Sequence, residues 1–157
     1  MSSANRYTGY DPFAQMYNES WGPKFCQKGL PLLEKLLLQH LPQEAHILDL
    51  CCGTGQIAQQ LLTKGYRVTG LDGSEAMLHY ARENAPTGQF ILGDARLFEF
   101  PPTFHAVIST NATFNHVMNL EELKSVFHNV YAALLDNGFF LFDLNMEADY
   151  IAILFDS

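Results

Sequence analysis

Three carboxylates stand where short apolar runs give way to glycine or small residues: Asp49 in Ile47-Leu48-Asp49-Leu50-Cys51-Cys52-Gly53, Asp72 in Gly70-Leu71-Asp72-Gly73-Ser74, and Asp94 in Gly93-Asp94-Ala95. Between the first two lies Gly53-Thr54-Gly55-Gln56-Ile57-Ala58, which fits the G-x-G-x-x-G/A pattern of a nucleotide-binding turn. Its glycines permit positive φ and let the backbone approach a ligand that a β-carbon would hold off. Asp72 follows about 20 residues on, the distance at which a carboxylate accepts hydrogen bonds from ribose hydroxyls. Asp49 separates ligand classes. Inside the end of its apolar run it would lie under a bound pyrophosphate and repel it, whereas it suits a ligand carrying positive charge. Asp94 can accept from the exocyclic amine of a purine. A further polar group, Thr110-Asn111-Ala112, closes the run Ala106 to Thr110.

These residues need a scaffold that brings strand ends together, and the hydrophobic periodicity supplies one. Leu30, Leu33, Leu37 and Leu41 recur at helical spacing within Phe25 to Leu41, and Pro31 is expected to start or restart that helix. Strands are expected at His46 to Cys51, Arg67 to Leu71, Gln89 to Leu92, Ala106 to Thr110 and Phe139 to Leu144. Helices fall between them at Gln56 to Lys64, at Ser74 to Asn84 with Ser74 as its cap, and at Leu120 to Leu135, the last stopped by Asp136-Asn137-Gly138. Strands alternating with helices imply an α/β fold: a three-layer, Rossmann-like domain with a mainly parallel sheet of about five strands. In such a sheet ligands bind beyond the carboxyl ends of the strands, where the acids and glycines stand.

Composition narrows the classes. With 157 residues, 48% of them hydrophobic, the chain has material for one packed domain. Seventeen acidic against nine basic residues give a net charge of −8, which disfavours nucleic acid and anionic membranes as partners. Three cysteines, two of them adjacent, form no disulfide framework, and the six histidines show no close ligand pair, so no metal is expected. The longest apolar run is far shorter than the roughly 18 residues of a spanning helix, and the polar residues Met1 to Asn5 do not read as a signal peptide. A cytoplasmic protein is expected.

The run Ile47 to Gly55, followed in order by the Asp72, Asp94 and Thr110 motifs, resembles the class I S-adenosylmethionine-dependent methyltransferases over roughly Ile47 to Leu144. The sulfonium and ammonium of S-adenosylmethionine, which carries no phosphate, agree with the demand made by Asp49. The resemblance implies a cofactor site in which the glycine turn, with Asp49, Cys51, Gly53 and Gly55, cradles the methionine part. It implies further that Asp72 and Gly73 hold the ribose, that Met77 packs near the adenine, and that Asp94 with the Ala95 backbone reads the adenine edge. Thr110 falls near the methionine amino group and the methyl. The Tyr-rich N-terminus resembles a cap folded over the cofactor, with Tyr10 toward the ligand. His116 and Tyr17 are the candidate catalytic residues, although a lone histidine such as His116 is more often an ordinary surface or core residue. The expected reaction is methyl transfer to a small-molecule N, O or C nucleophile, yielding S-adenosylhomocysteine. The alternatives are a cofactor-binding chain without turnover and a nicotinamide-dependent oxidoreductase using the same turn.

The chain departs from the family where the sheet should close. Seven strands are usual, the last two an antiparallel hairpin, and only five are read here, so the chain is expected to be truncated after the fifth. The expected organisation is an N-terminal aromatic cap and helix over residues 1–41, a cofactor-binding core over 42–147, and a short tail over 148–157. A fifth strand left uncovered would invite self-association as a homo-oligomer.

Overall fold

The computed structural model describes residues 8–111, 113, 119–146 and 149–156, with side chains for those between 11 and 144. The chain enters through a 3₁₀ turn at Thr8–Phe13, a single helical turn at Ala14–Met16 and a π-helical turn at Tyr17–Trp21. It continues without a break into helix α1, Gly22–Leu36. Here the structure corrects the expectation for Pro31, which lies inside α1 and does not start it. Pro23 occupies the first turn of α1. Cys26 and Leu33 are buried on either side of Pro31, and that packing carries the helix across it.

Strands β1 (His46–Leu50), β2 (Arg67–Asp72) and β3 (Gln89–Leu92) alternate with helices α2 (Gln56–Thr63) and α3 (Glu75–Asn84). Ser74 caps α3 as expected, its hydroxyl accepting from the Met77 amide at 3.2 Å. Strand β4 (Phe104–Ser109), helix α4 (Leu120–Ala133), strand β5 (Leu134–Met146) and strand β6 (Asp149–Asp156) complete the order. The sheet runs β3-β2-β1-β4-β5-β6, and the first five strands are parallel, as the alternation predicts. The chain steps outward from β1 to β3, then returns to lay β4 on the other side of β1. That reversal opens a crevice at the carboxyl ends of β1 and β4.

Two expectations at the far edge are corrected. Helix α4 ends at Ala133, and Asp136-Asn137-Gly138 lie within β5 as an irregularity: the pairing with β4 shifts between Phe104 and Ala106, and Asn137 has φ 61°. Turn-forming residues thus serve a bulge in a strand in place of a helix stop. The expected tail is strand β6, antiparallel to β5 from Met146 opposite Asp149 to Phe139 opposite Asp156. A two-residue connection suffices for an antiparallel hairpin, so few residues were needed. The β5 edge on which the expectation of self-association rested is therefore paired.

Side chains alternate across β1. Leu48 and Leu50 enter the core beneath α4 with Val107, Val126, Val130, Phe140 and Phe142. Ile47 enters the opposite core with Leu33, Leu37, Ile57, Ala58, Leu61 and Ile108, beneath α1 and α2. The period of two places Asp49 on the same side as Ile47, facing the helices that carry the N-terminal cap. No helix among the described residues is long and apolar enough to cross a membrane.

Candidate functional site

Beyond β1 the backbone turns through three left-handed residues, Cys51 (φ 61°), Gly53 (φ 56°) and Gly55 (φ 83°). Gly55 admits no side chain: a β-carbon there would stand 2.9 Å from the Ala81 Cα of α3. The turn is closed by the Gly55 amide donating to the Cys52 carbonyl at 3.2 Å and tied to β2 by the Cys52 amide donating to the Leu71 carbonyl at 3.1 Å. Asp72, at the end of β2, accepts from the Gly53 amide at 2.8 Å and the Ser74 amide at 2.9 Å. Burial pushes its carboxyl above the usual range, against the opposing pull of the Ser74, Gly53 and Gly73 amides. The sequence leads one to expect Asp72 at a ligand; what the geometry shows is that it holds the glycine turn in shape.

Asp49 is only 2% exposed. Burial, and then the neighbouring Asp72 carboxylate, push its pKa up to about 8. Among the described residues no ion pair reaches either acid. Asp49, Cys51, Cys52, Gln56, Ile57, Thr110 and Asn111 line one small pocket at the β1 and β4 ends, roofed by Tyr17, Gly22 and Cys26. The Cys51 and Cys52 thiols are held well above the ordinary value by burial and then by Asp72 and Asp49, so both remain protonated. They behave as small apolar side chains.

The roof is latched. Asn18 Oδ1 accepts from Gln56 Nε2 at 3.0 Å and from Asn84 Nδ2 at 2.7 Å, and Asn84 also donates to the Thr54 carbonyl at 2.8 Å. Asp11 accepts from the Ser74 hydroxyl at 2.5 Å, which pins the first turn of the cap to α3. Tyr17 then lies over Gly53 and packs against Trp21 and Phe25 at centroid distances of 6.5 and 6.2 Å. Burial first, then Asp72 and Asp49, push the Tyr17 phenol up to about 12, with a hydrogen bond to the Asn111 side chain opposing them. At neutral pH Tyr17 is a hydrogen-bonding phenol and a poor proton acceptor. Asn111, at φ 68°, donates its amide to Asp143 Oδ2 of β5 at 3.0 Å.

On the other flank, after β3, Asp94 is held by Arg96. The guanidinium Nε donates to Oδ1 at 2.9 Å and Nη2 to Oδ2 at 2.6 Å, while the Arg96 amide also donates to Oδ1 at 2.9 Å. Ala95 is buried beside the α4 core, and Met77 is buried on α3. The site residues expected from sequence therefore fall into a group at the β1 and β4 ends (Asp49, Cys51, Gly53, Gly55, Thr110), a β2-end group (Asp72, Gly73, with Met77 after it) and a β3-end group (Asp94, Ala95). Tyr10 lies in the first turn of the cap, with its side chain outside the described residues, as is all of His116. Sequence reasoning missed Asn18, Asn84 and Arg96, and it named Gln56 and Asn111 only within the glycine turn and the polar group after the fourth strand, without a role of their own. Only Asn111 carried a local signal, asparagine being among the few residues that tolerate a left-handed backbone.

Residues 47–138 match the sequence profile of a family described as a methyltransferase domain. YqeM of Bacillus subtilis (strain 168), whose name gives a methyltransferase and no substrate, is 31% identical over 152 residues, covering 94% of this chain and 60% of YqeM. The dTDP-3-amino-3,6-dideoxy-alpha-D-glucopyranose N,N-dimethyltransferase of Streptomyces fradiae is 32% identical over 106 residues, covering 68% of this chain and 42% of that protein. Among solved structures, S-adenosylmethionine-bound CalS10, an amino pentose methyltransferase from Micromonospora echinaspora, superposes with a TM-score of 0.73 at 24% identity, covering 83% of this chain and 56% of CalS10. The chain thus spans about 60% or less of the length of these relatives.

Proposed function

This chain belongs to the class I S-adenosylmethionine-dependent methyltransferase family, and from that premise we propose that it serves methyl transfer from S-adenosylmethionine to a small-molecule N, O or C nucleophile. The observation that carries the reading is the pair of acids, buried Asp49 and part-buried Asp72, flanking a glycine turn with no cation beside them among the described residues. Such a pocket favours a ligand bearing a sulfonium and an ammonium and disfavours a pyrophosphate, which weighs against a nicotinamide dinucleotide. The turn also fits a close ligand, since Gly53 presents bare backbone beneath Tyr17 while Gly55 lets α3 pack against the turn.

In this reading the N-terminal cap, residues 1–41, covers a core of residues 42–147. Asp49 faces the cationic methionine part, and Cys51, Gly53, Gly55 and Thr110 shape its bed. Asp72 and Gly73 take the ribose, Met77 packs on the adenine, Asp94 and Ala95 read its edge, and Tyr10 is assigned as a further cofactor contact. S-adenosylmethionine supplies an already activated methyl group, so the protein's task is to align the nucleophile and exclude water. Tyr17, protonated and roofing the pocket, is suited to donating a hydrogen bond, and His116 is the remaining candidate for taking a proton. The net charge of −8 supports a small acceptor over a nucleic acid. Support for an amine acceptor comes from the Streptomyces fradiae relative, whose name specifies a dTDP-amino sugar.

Calorimetric titration with S-adenosylmethionine, S-adenosylhomocysteine and NADH tests the reading. Micromolar binding of the first two and none of NADH is expected. Binding of NADH alone, or of none of the three, overturns it. A screen of small amines, dTDP-amino sugars first, then tests the acceptor.

A further inference from the structure

Arg96 lies outside every expected role, yet it is the most heavily bonded side chain near the site. Its guanidinium meets both oxygens of Asp94 in a two-pronged fork, Nε to Oδ1 at 2.9 Å and Nη2 to Oδ2 at 2.6 Å. Its remaining nitrogen, Nη1, donates to Glu122 Oε1 on α4 at 2.8 Å. The side chains of Asp94, Arg96 and Glu122 are 8%, 16% and 21% exposed, so the chain of charges is largely shielded from water. Both ends are anchored. Glu122 forms a reciprocal capping box with Asn119 at the start of α4, and Asn129, two turns further along α4, donates to the Arg96 carbonyl at 2.9 Å.

This arrangement does more than neutralise an acid. A lone carboxylate rotates about its Cβ–Cγ bond, whereas one gripped on both oxygens by a planar fork has its plane fixed. A guanidinium only donates, so the gripped carboxylate presents itself as an acceptor. A fixed acceptor is what distinguishes a ligand with an amine at one position from a ligand with a carbonyl there.

We infer that Arg96 is the positioning residue of the base subsite: anchored to α4 through Glu122 and Asn129, it sets the plane of Asp94 and thereby the selection of an amino-purine over an oxo-purine cofactor. The inference rests on the reading above in which Asp94 faces the adenine edge. Arg96 itself need not touch the ligand.

The test is titration of the full chain with S-adenosylhomocysteine and with S-inosylhomocysteine, which carries a carbonyl oxygen in place of the adenine amine. The wild type is expected to prefer the adenosyl ligand by about 10- to 100-fold, the scale of a hydrogen bond to a charged group. Arg96→Lys keeps the charge and loses the fork, and the preference should fall to roughly threefold or less, chiefly through weaker adenosyl binding. Glu122→Gln leaves the fork and loosens its anchor, so an intermediate preference is expected. Arg96→Met should resemble Arg96→Lys if it folds, which circular dichroism decides. A merely structural role would weaken both ligands equally and leave their ratio unchanged; that result, or failure of all three variants to fold, overturns the inference. Absence of any preference in the wild type removes Asp94 from the adenine edge, a failure distinct from an unchanged ratio in the variants.

Discussion

The two flanks of the candidate site treat the same chemical group in opposite ways. At the end of β1, Asp49 is buried with another carboxylate for a neighbour and no described ion pair, just before a turn that holds three residues at positive φ. At the end of β3, Asp94 is less deeply buried, its side chain 8% exposed, and is joined to Arg96 and through it to Glu122, and no residue between Leu92 and Phe98 has positive φ. A buried charge is tolerable when paired and costly when alone. The β3 flank carries its own cation and can only offer hydrogen bonds to a neutral group. The β1 flank is left in electrostatic and backbone strain, and a cationic ligand relieves the first of these. Strain of this kind concentrates where a protein binds.

The largest test of that contrast removes the charge on each flank by the same substitution. Asp49→Asn is expected to weaken S-adenosylmethionine binding by about 10- to 100-fold, while stabilising the ligand-free chain by on the order of 2 kcal/mol at pH 8. The sign follows from the raised pKa. The contribution of protonated Asp49 is fully present below the ordinary value of 3.8 and is lost as pH rises toward about 8, and asparagine, which cannot ionise, escapes that loss. Asp94→Asn breaks the fork and should instead destabilise the chain by about 2 kcal/mol. Thermal melts at pH 8 with calorimetric titrations give both numbers, and equal signs for the two stabilities would erase the contrast.

A second test leaves the sequence alone. If the cation binds ionised Asp49, affinity for S-adenosylmethionine should climb roughly tenfold per pH unit up to about pH 8 and then level, with protons released on binding. The Tyr17 phenol and the Cys51 and Cys52 thiols, all pushed upward, stay protonated across that window. Titrations at pH 6, 7 and 8 in buffers of different ionisation enthalpy read both quantities. A flat profile would mean that Asp49 is already charged before the ligand arrives.

What the sequence disclosed divides along the same line. Asp49, Asp72 and the glycine turn were legible because each lies at a boundary between an apolar run and a turn, a signal contained within about ten residues. The parallel strands were legible for the same reason. Arg96 with Glu122, and Asn18 with Gln56 and Asn84, were not, since their partners are 26, 38 and 66 residues apart and only the fold brings them together. Pro31 and Asp136-Asn137-Gly138 misled for a different reason. Their local preferences were read correctly as breaks, but packing on Cys26 and Leu33 carries a helix over the first, and pairing with β4 absorbs the second into a strand. Residues 149–156 were taken for a tail, because pairing with β5 is not a property of those residues alone.

The smallest expected effect is the sharpest test of backbone strain on the β1 flank. Cys51 is a residue with a side chain at φ 61°, where an L-amino acid pays about 1 to 2 kcal/mol and glycine pays nothing. Comparing Cys51→Gly with wild type would mix that relief with the loss of a thiol packed against the α4 core. Comparing Cys51→Gly with Cys51→Ala does not, since both lose the thiol. At an ordinary position glycine is the less stable of the two by roughly 0.5 to 1 kcal/mol, through the entropy of the unfolded chain. At residue 51 the order should reverse, with the glycine variant more stable by about 0.5 to 1 kcal/mol in urea unfolding. The same pair made at Ala95, on the β3 flank, should keep the ordinary order, wild-type alanine above Ala95→Gly. If alanine is also the more stable residue at position 51, the turn after β1 is unstrained and only the charge distinguishes the two flanks.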